Sequence, residues 1–70
     1  MSNTISIYVN GETRKAAPGT TVIALLAELG LNTGRVAIEQ NLHILPKAKW
    51  EATCVADGDR FEIVQFVGGG

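Results

Sequence analysis

Val22, Leu25, Leu26 and Leu29 fall at i, i+3, i+4 and i+7, which places a single apolar stripe on one short helix. Both ends of that helix are marked. Thr20 or Thr21 can accept a hydrogen bond from an orphaned N–H at its start. Gly30 stands where a left-handed residue closes a helix, with Leu31 behind it to contact the last turn. A helix of about eight residues covers one face of a small sheet and no more. The rest of the chain therefore has to supply that sheet.

It does so in short pieces. Residues 4–9 alternate, with Ile5, Ile7 and Val9 on one side and Ser6 and Tyr8 on the other, as in a half-buried strand. Asn10-Gly11 suits a two-residue type I′ turn, in which both central residues need positive φ, and residues 12–17 return antiparallel. Pro18-Gly19 ends that strand, because proline has no N–H for a ladder. After the helix, residues 35–40 resume the alternation with Val36 and Ile38 on one face. Asn41-Leu42 is a poorer turn, since leucine resists positive φ. Ile44-Leu45 reads as a short strand stopped by Pro46, and residues 47–50 as a helical turn whose Trp50 covers the core edge under a long connection. Asp57-Gly58-Asp59 then turns the chain into a last strand, residues 60–67. The sum is an α+β fold, a mixed sheet of four to five strands packed on one helix.

The last strand is unusual on its outward side. Phe61, Ile63 and Val67 share one face with Gln65, which suits a core. The other face runs Arg60, Glu62, Val64, Phe66, so it turns from polar to apolar just before the end. Two readings stand side by side. In one, Val64 and Phe66, with Val67, form a docking patch; in the other, Phe66 folds back over a neighbouring strand. Gly68-Gly69-Gly70 follows at once, and glycines in a row do not order themselves. Such a tail is either a plain disordered end or linker remnant, or a thin thread that carries the Gly70 carboxylate into a partner enzyme.

Bulk properties narrow the choice. A chain of 70 residues is one small domain, burying only about 60% of the surface that its unfolded form exposes. Cys54 is its single cysteine, so no disulfide staples it and a reducing, cytoplasmic setting is expected. No signal peptide is read at its start, and the longest apolar run, residues 22–27, is too short for a bilayer. A net charge of −1 without a basic cluster argues against nucleic acid as the main ligand. Catalytic constellations are missing too. His43 reads as a surface residue of an edge strand, and Cys54 as a small, partly buried apolar residue with no basic neighbours to activate it. Asp57 and Asp59 bracket a turn glycine without the further oxygen ligands that calcium needs, so no metal site is expected. The candidate reactive group that remains is the Gly70 carboxylate. A carboxylate becomes electrophilic only after conversion to a mixed anhydride, after which sulfur gives a thiocarboxylate and an amine gives an amide.

Three runs carry a resemblance: Val36-Ala37-Ile38-Glu39-Gln40-Asn41, Ile44-Leu45-Pro46-Lys47-Ala48-Lys49-Trp50, and the stretch from Asp57-Gly58-Asp59 through Phe66-Val67-Gly68-Gly69-Gly70. Together with Asn10-Gly11-Glu12 and the Thr21-Val22 helix start, they resemble the thiamine-biosynthesis sulfur carrier family. The resemblance implies the ubiquitin-like β-grasp fold, with residues 1–67 as the domain and residues 68–70 as a flexible reactive tail. It implies a carrier and not an enzyme. An adenylyltransferase related to ubiquitin-activating enzymes would adenylate Gly70, and sulfur from a cysteine desulfurase persulfide would replace AMP. The thiocarboxylate would then serve a thiazole synthase. On this reading no cofactor is bound stably, and the adenylate and thiocarboxylate are transient. Gly68 and Gly69 thread the tail, and Val64, Phe66 and Val67 dock it.

Leu42 departs from the resemblance, standing where the family usually has a turn glycine; Gln65 sits at a variable position. Relatives in chemistry stay open at this point. A molybdopterin synthase small subunit shares fold, tail and thiocarboxylate, although such subunits are longer and lack the Ile44-Leu45-Pro46 to Trp50 stretch. A ubiquitin-like modifier that forms an amide through Gly70, or an interaction domain with an inert tail, also fits the residues.

Overall fold

The computed structural model describes residues 3–66. The first hairpin joins β1 (Ile5–Val9) to β2 (Glu12–Ala16), in antiparallel register from Ile5 opposite Ala16 to Val9 opposite Glu12. Asn10 and Gly11 turn it at φ of 51° and 83°, the two positive values that a type I′ turn requires.

Helix α1 (Val22–Glu28) is capped by Thr21, whose hydroxyl oxygen accepts from the Ala24 N–H at 3.1 Å. Such a cap contributes about 1 kcal/mol. Thr20 is used differently, donating its hydroxyl to the Ala17 carbonyl. At the other end Gly30 adopts φ of 73°; its N–H donates to Ala27 and that of Leu31 to Leu26, each at 3.1 Å. These are the paired bonds of a Schellman closure, and they return Leu31 to the core.

β3 (Val36–Gln40) starts one residue later than the alternation indicates. Arg35 belongs instead to a 3-10 turn, Thr33–Arg35, which the Asn32 carboxamide begins by accepting from the Gly34 N–H at 2.9 Å. β4 is only His43–Ile44, and β5 is Arg60–Gln65. The sheet order is β2-β1-β5-β3-β4, in which β1 and β5 run parallel and the other neighbours antiparallel. The first and last strands thus lie side by side at the centre, and the C-terminal strand is gripped on both sides.

The core lies between the inward faces of β1, β3 and β5 and the helix. Ile7, Ile38, Phe61 and Ile63 meet Val22, Leu25 and Leu26, while Trp50 and Val55 from the long connection close the side. Trp50 is fully packed, and its indole N–H donates to the Leu45 carbonyl at 3.0 Å. A buried Trp needs that partner for its single donor. Asp59 has a role that the sequence does not reveal. It is 9% exposed, and its carboxylate accepts from the Ala56 N–H, the Gln40 amide and the Asn41 amide at 2.8–3.1 Å. Asn41 in turn accepts from the Arg60 N–H, so one buried carboxylate ties the β3–β4 turn to the start of β5. Asp57 accepts from the Ser6 N–H. Among the described residues no cluster of His, Cys, Asp or Glu is arranged to hold a metal, and no helix is long and apolar enough to cross a membrane.

The Asn41-Leu42 turn forms despite the leucine, at φ of 52° and 73°. Leu42 is 85% exposed, so no packing compensates the conformation. A non-glycine residue there costs about 1–3 kcal/mol, against which glycine loses about 0.4–1 kcal/mol through the unfolded chain. Leu42→Gly is therefore expected to raise stability by about 1 kcal/mol in chemical denaturation. A loss of stability would show that the leucine side chain does something else for the fold.

Candidate functional site

β5 is the element that carries the site, and its hydrogen bonds divide by parity. Opposite β3, the Asn41 N–H donates to the Arg60 carbonyl and the Phe66 N–H to the Arg35 carbonyl at 2.7 Å. The backbone polar groups of the even residues, Arg60 through Phe66, therefore point toward β3, and those of Phe61, Ile63 and Gln65 point toward β1. On that second side, true strand pairing extends only over Tyr8–Arg60 and Val9–Phe61, after which the main chain of β1 turns away. The Asn10 carboxamide takes over. Its oxygen accepts from the Ile63 N–H at 2.7 Å, and its amide donates to the Ile63 carbonyl at 3.1 Å. One side chain thus stands in for a strand residue and holds β5 straight toward its end.

Side chains divide by the same alternation. Phe61 and Ile63 are buried, whereas Val64 and Phe66 are 57% and 56% exposed. Phe66 is therefore not a core residue. Among the described residues, the last bond from this strand to β3's side is that of the Phe66 amide, one residue past the end of β5 at Gln65. Val67, Gly68, Gly69 and Gly70, to which the sequence assigns docking, threading and reaction, lie outside the described residues.

The outward sheet face supplies more apolar surface than β5 alone reveals. Ala37 is the cross-strand partner of Val64, and Ile44, 78% exposed, is the partner of Glu39. Ala37, Ile44 and Val64, with Glu39 and Glu62, line a shallow 150 Å³ hollow. Glu39 and Glu62 are themselves directly opposed, a like-charge pairing that disfavours the isolated sheet and favours a cationic group laid over it. Farther along, the Arg60 guanidinium lies 5.3 Å from the centre of the Tyr8 ring. The face therefore grades from polar beside β1 to apolar beside β4 and the end of β5. Ile44 is a residue that sequence reasoning passed over as a short-strand filler; its facing follows only from the register of the Asn41-Leu42 turn.

The other candidates lie apart. His43 is exposed on the edge strand, as expected. Cys54 requires a correction, since it is exposed and not partly buried. It pairs in an isolated bridge with Thr21, where the alternation turns Val55 into the core and the cysteine outward, its thiol 3.7 Å from the Gly19 carbonyl.

A family model described as the ThiS family matches residues 7–70. The chain is 47% identical over 66 residues to a thiazole synthase of Paramagnetospirillum magneticum, covering 94% of this chain but 20% of that protein. A thiazole synthase of Magnetococcus marinus is 36% identical with the same coverage, so the chain spans about a fifth of these relatives. The sulfur carrier protein ThiS of Escherichia coli is 32% identical over 66 residues, which cover 94% of this chain and 100% of that one. Among solved structures, the ThiS thiamine biosynthesis protein from Geobacter metallireducens superposes with a TM-score of 0.80 at 33% identity, covering 94% of this chain and 100% of that one.

Proposed function

The chain belongs to the ThiS family, and from that premise we propose that it is a sulfur carrier protein of thiamine biosynthesis whose reactive group is the Gly70 carboxylate. The observation that carries this reading is the placement of β5. The strand leading to the glycines is central, bonded to β3 and clamped by Asn10, and its last outward side chains are apolar and exposed. A rigid stem therefore ends at a known point, and the four residues beyond Phe66 can reach at most roughly 14 Å into a partner.

Activation then proceeds on that partner, an adenylyltransferase of the ubiquitin-activating type. A Gly70 carboxylate oxygen attacks the α-phosphorus of ATP and pyrophosphate leaves. The terminal persulfide sulfur of a cysteine desulfurase relay attacks the acyl carbon and expels AMP. A further thiol cleaves the resulting S–S bond, and the thiocarboxylate remains. Glycines without side chains let the partner close around the anhydride and exclude water. The thiocarboxylate is delivered to a thiazole synthase, a reading supported by the thiazole synthases that contain a segment similar to this chain. Residues 1–67 act as the folded carrier and residues 68–70 as the reactive thread; Val64, Phe66 and Val67 dock it, and the work is done in the cytoplasm without a stably bound cofactor.

The exposed thiol of Cys54 makes the test specific. After loading with ATP, adenylyltransferase and persulfide donor, peptide mapping is expected to find the new sulfur on the C-terminal peptide. Cys54→Ser is expected to load and deliver sulfur at the wild-type rate. Sulfur found on Cys54, or delivery lost in a folded Cys54→Ser chain, would replace the carboxylate route with a cysteine persulfide route.

A further inference from the structure

The outward face of the sheet keeps its own charges apart. Ile44, Glu39 and Glu62 form one row across β4, β3 and β5, and Ala37 and Val64 form the next. Directly opposed residues hold their Cβ atoms about 4.5–5.5 Å apart, so the Glu39 and Glu62 carboxylates are neighbours. Both residues are exposed, and among the described residues neither carboxylate has an ion pair. The cations of the same face are engaged elsewhere. Arg60, two residues from Glu62, lies over the Tyr8 ring of β1 at 5.3 Å, and the Lys15 ammonium of β2 donates to the Ser6 hydroxyl at 2.8 Å. Opposed like charges destabilise a sheet, and neither of these cations offsets them. The surroundings of the pair are apolar. Ile44 and Val64, both exposed, flank it and with Ala37 line the 150 Å³ hollow. Pockets for free small molecules run to about 300–1,000 Å³, so the hollow suits one side chain of a protein and not a metabolite.

We infer that the Glu39–Glu62 pair is the acceptor for a cationic side chain, presented between apolar neighbours by each enzyme that takes the tail. The inference rests on the function proposed above. The occupant is argued from charge complementarity. Covering the pair with apolar or acidic groups alone would leave two charges buried and unpaired, which is strongly unfavourable. A cation satisfies both. Arginine fits most closely, since its planar fork of donors can meet two carboxylates while its stem covers Ile44 and Val64. The contact is assigned to the adenylyltransferase and the thiazole synthase alike, because β5 presents the same row of side chains to both. The same pair therefore weakens the free sheet and strengthens the complex, and removing a charge should move stability and binding in opposite directions.

The test uses the whole chain with each of the two enzymes and reads thermal stability beside affinity. Glu39→Gln and Glu62→Gln each keep the side-chain shape and remove one charge. Each is expected to raise the thermal midpoint of the free chain by about 1–8 °C and to weaken binding to both enzymes roughly tenfold at low salt. Glu62→Lys sets a cation of the chain itself against Glu39, and is expected to fold stably while binding at least about 100-fold more weakly. Glu51→Gln removes the same charge from the exposed connection before β5, and is expected to bind within about twofold of wild type. Wild-type affinity should also fall more steeply with salt than that of the double variant Glu39→Gln/Glu62→Gln. Unchanged binding of both Gln variants to either enzyme, a lowered midpoint in either variant, or wild-type affinity in Glu62→Lys would overturn the inference. An equal loss in Glu51→Gln would assign the effect to overall charge and overturn it too. If the wild-type chain loads and delivers sulfur while the charge variants bind as it does, this inference fails alone. A wild-type chain that binds neither enzyme would overturn the function on which it rests as well.

Discussion

Removing Gly70, or adding one residue after it, is expected to lower sulfur loading by at least about 100-fold while the fold stays as it is. The adenylating site has to place one carboxylate oxygen in line with the α-phosphorus of ATP, and a misplacement of about 1 Å costs on the order of 100-fold in rate. One residue more or less moves the carboxylate by roughly 3.5 Å, several times that tolerance. The fold is expected to be insulated from the change, because among the described residues Ile63 is the last buried member of the core. Single-turnover loading, with thermal unfolding measured in parallel, separates the two effects. An extended chain that is adenylated and sulfurated at the wild-type rate would mean that the tail end is not the reacting group.

Phe66→Ala is expected to leave thermal stability near wild type and to weaken binding to both the adenylyltransferase and the thiazole synthase by roughly 30-fold. An aromatic anchor near the middle of an interface is worth about 2 kcal/mol or more on truncation, which gives that factor. The alternative, a core Phe, would cost about 3–5 kcal/mol of stability, and the 56% exposure of this side chain argues against it. Ile44 and Val64, which line the hollow on the same sheet face, should act in the same direction with smaller effects. Titration of each variant against each partner provides the check. Normal binding by a folded Phe66→Ala chain would move the docking surface elsewhere.

Much of the architecture is legible in the residues because it is written in local chemistry. Thr21, the stripe of Val22, Leu25 and Leu26, and Gly30 define α1 within a few residues, and Asn10-Gly11 fixes the register of the first hairpin. Period-two alternation outward from Phe61 and Ile63 likewise places Val64 and Phe66 on the surface. What stayed hidden depends on partners far apart in sequence. The Asn10 carboxamide meets Ile63 across 53 positions, and only the parallel pairing of β1 with β5 brings them together. Asp59 reads as a turn residue, yet its buried carboxylate is the anchor of the β3–β4 turn. Cys54 looks like a small apolar filler, because nothing local announces the isolated bridge that turns it outward. Ile44 joins the exposed apolar face only through the register set by a turn that strains Leu42.

The central claim is that the C-terminal carboxylate carries sulfur, and the intact mass of the chain purified from its native host tests it most directly. The account predicts a species in which one oxygen is replaced by sulfur, mapped to the C-terminal peptide and lost on incubation with thiazole synthase and its other substrates. A chain found solely as the free carboxylate, or joined through Gly70 to lysines of other proteins, would contradict it.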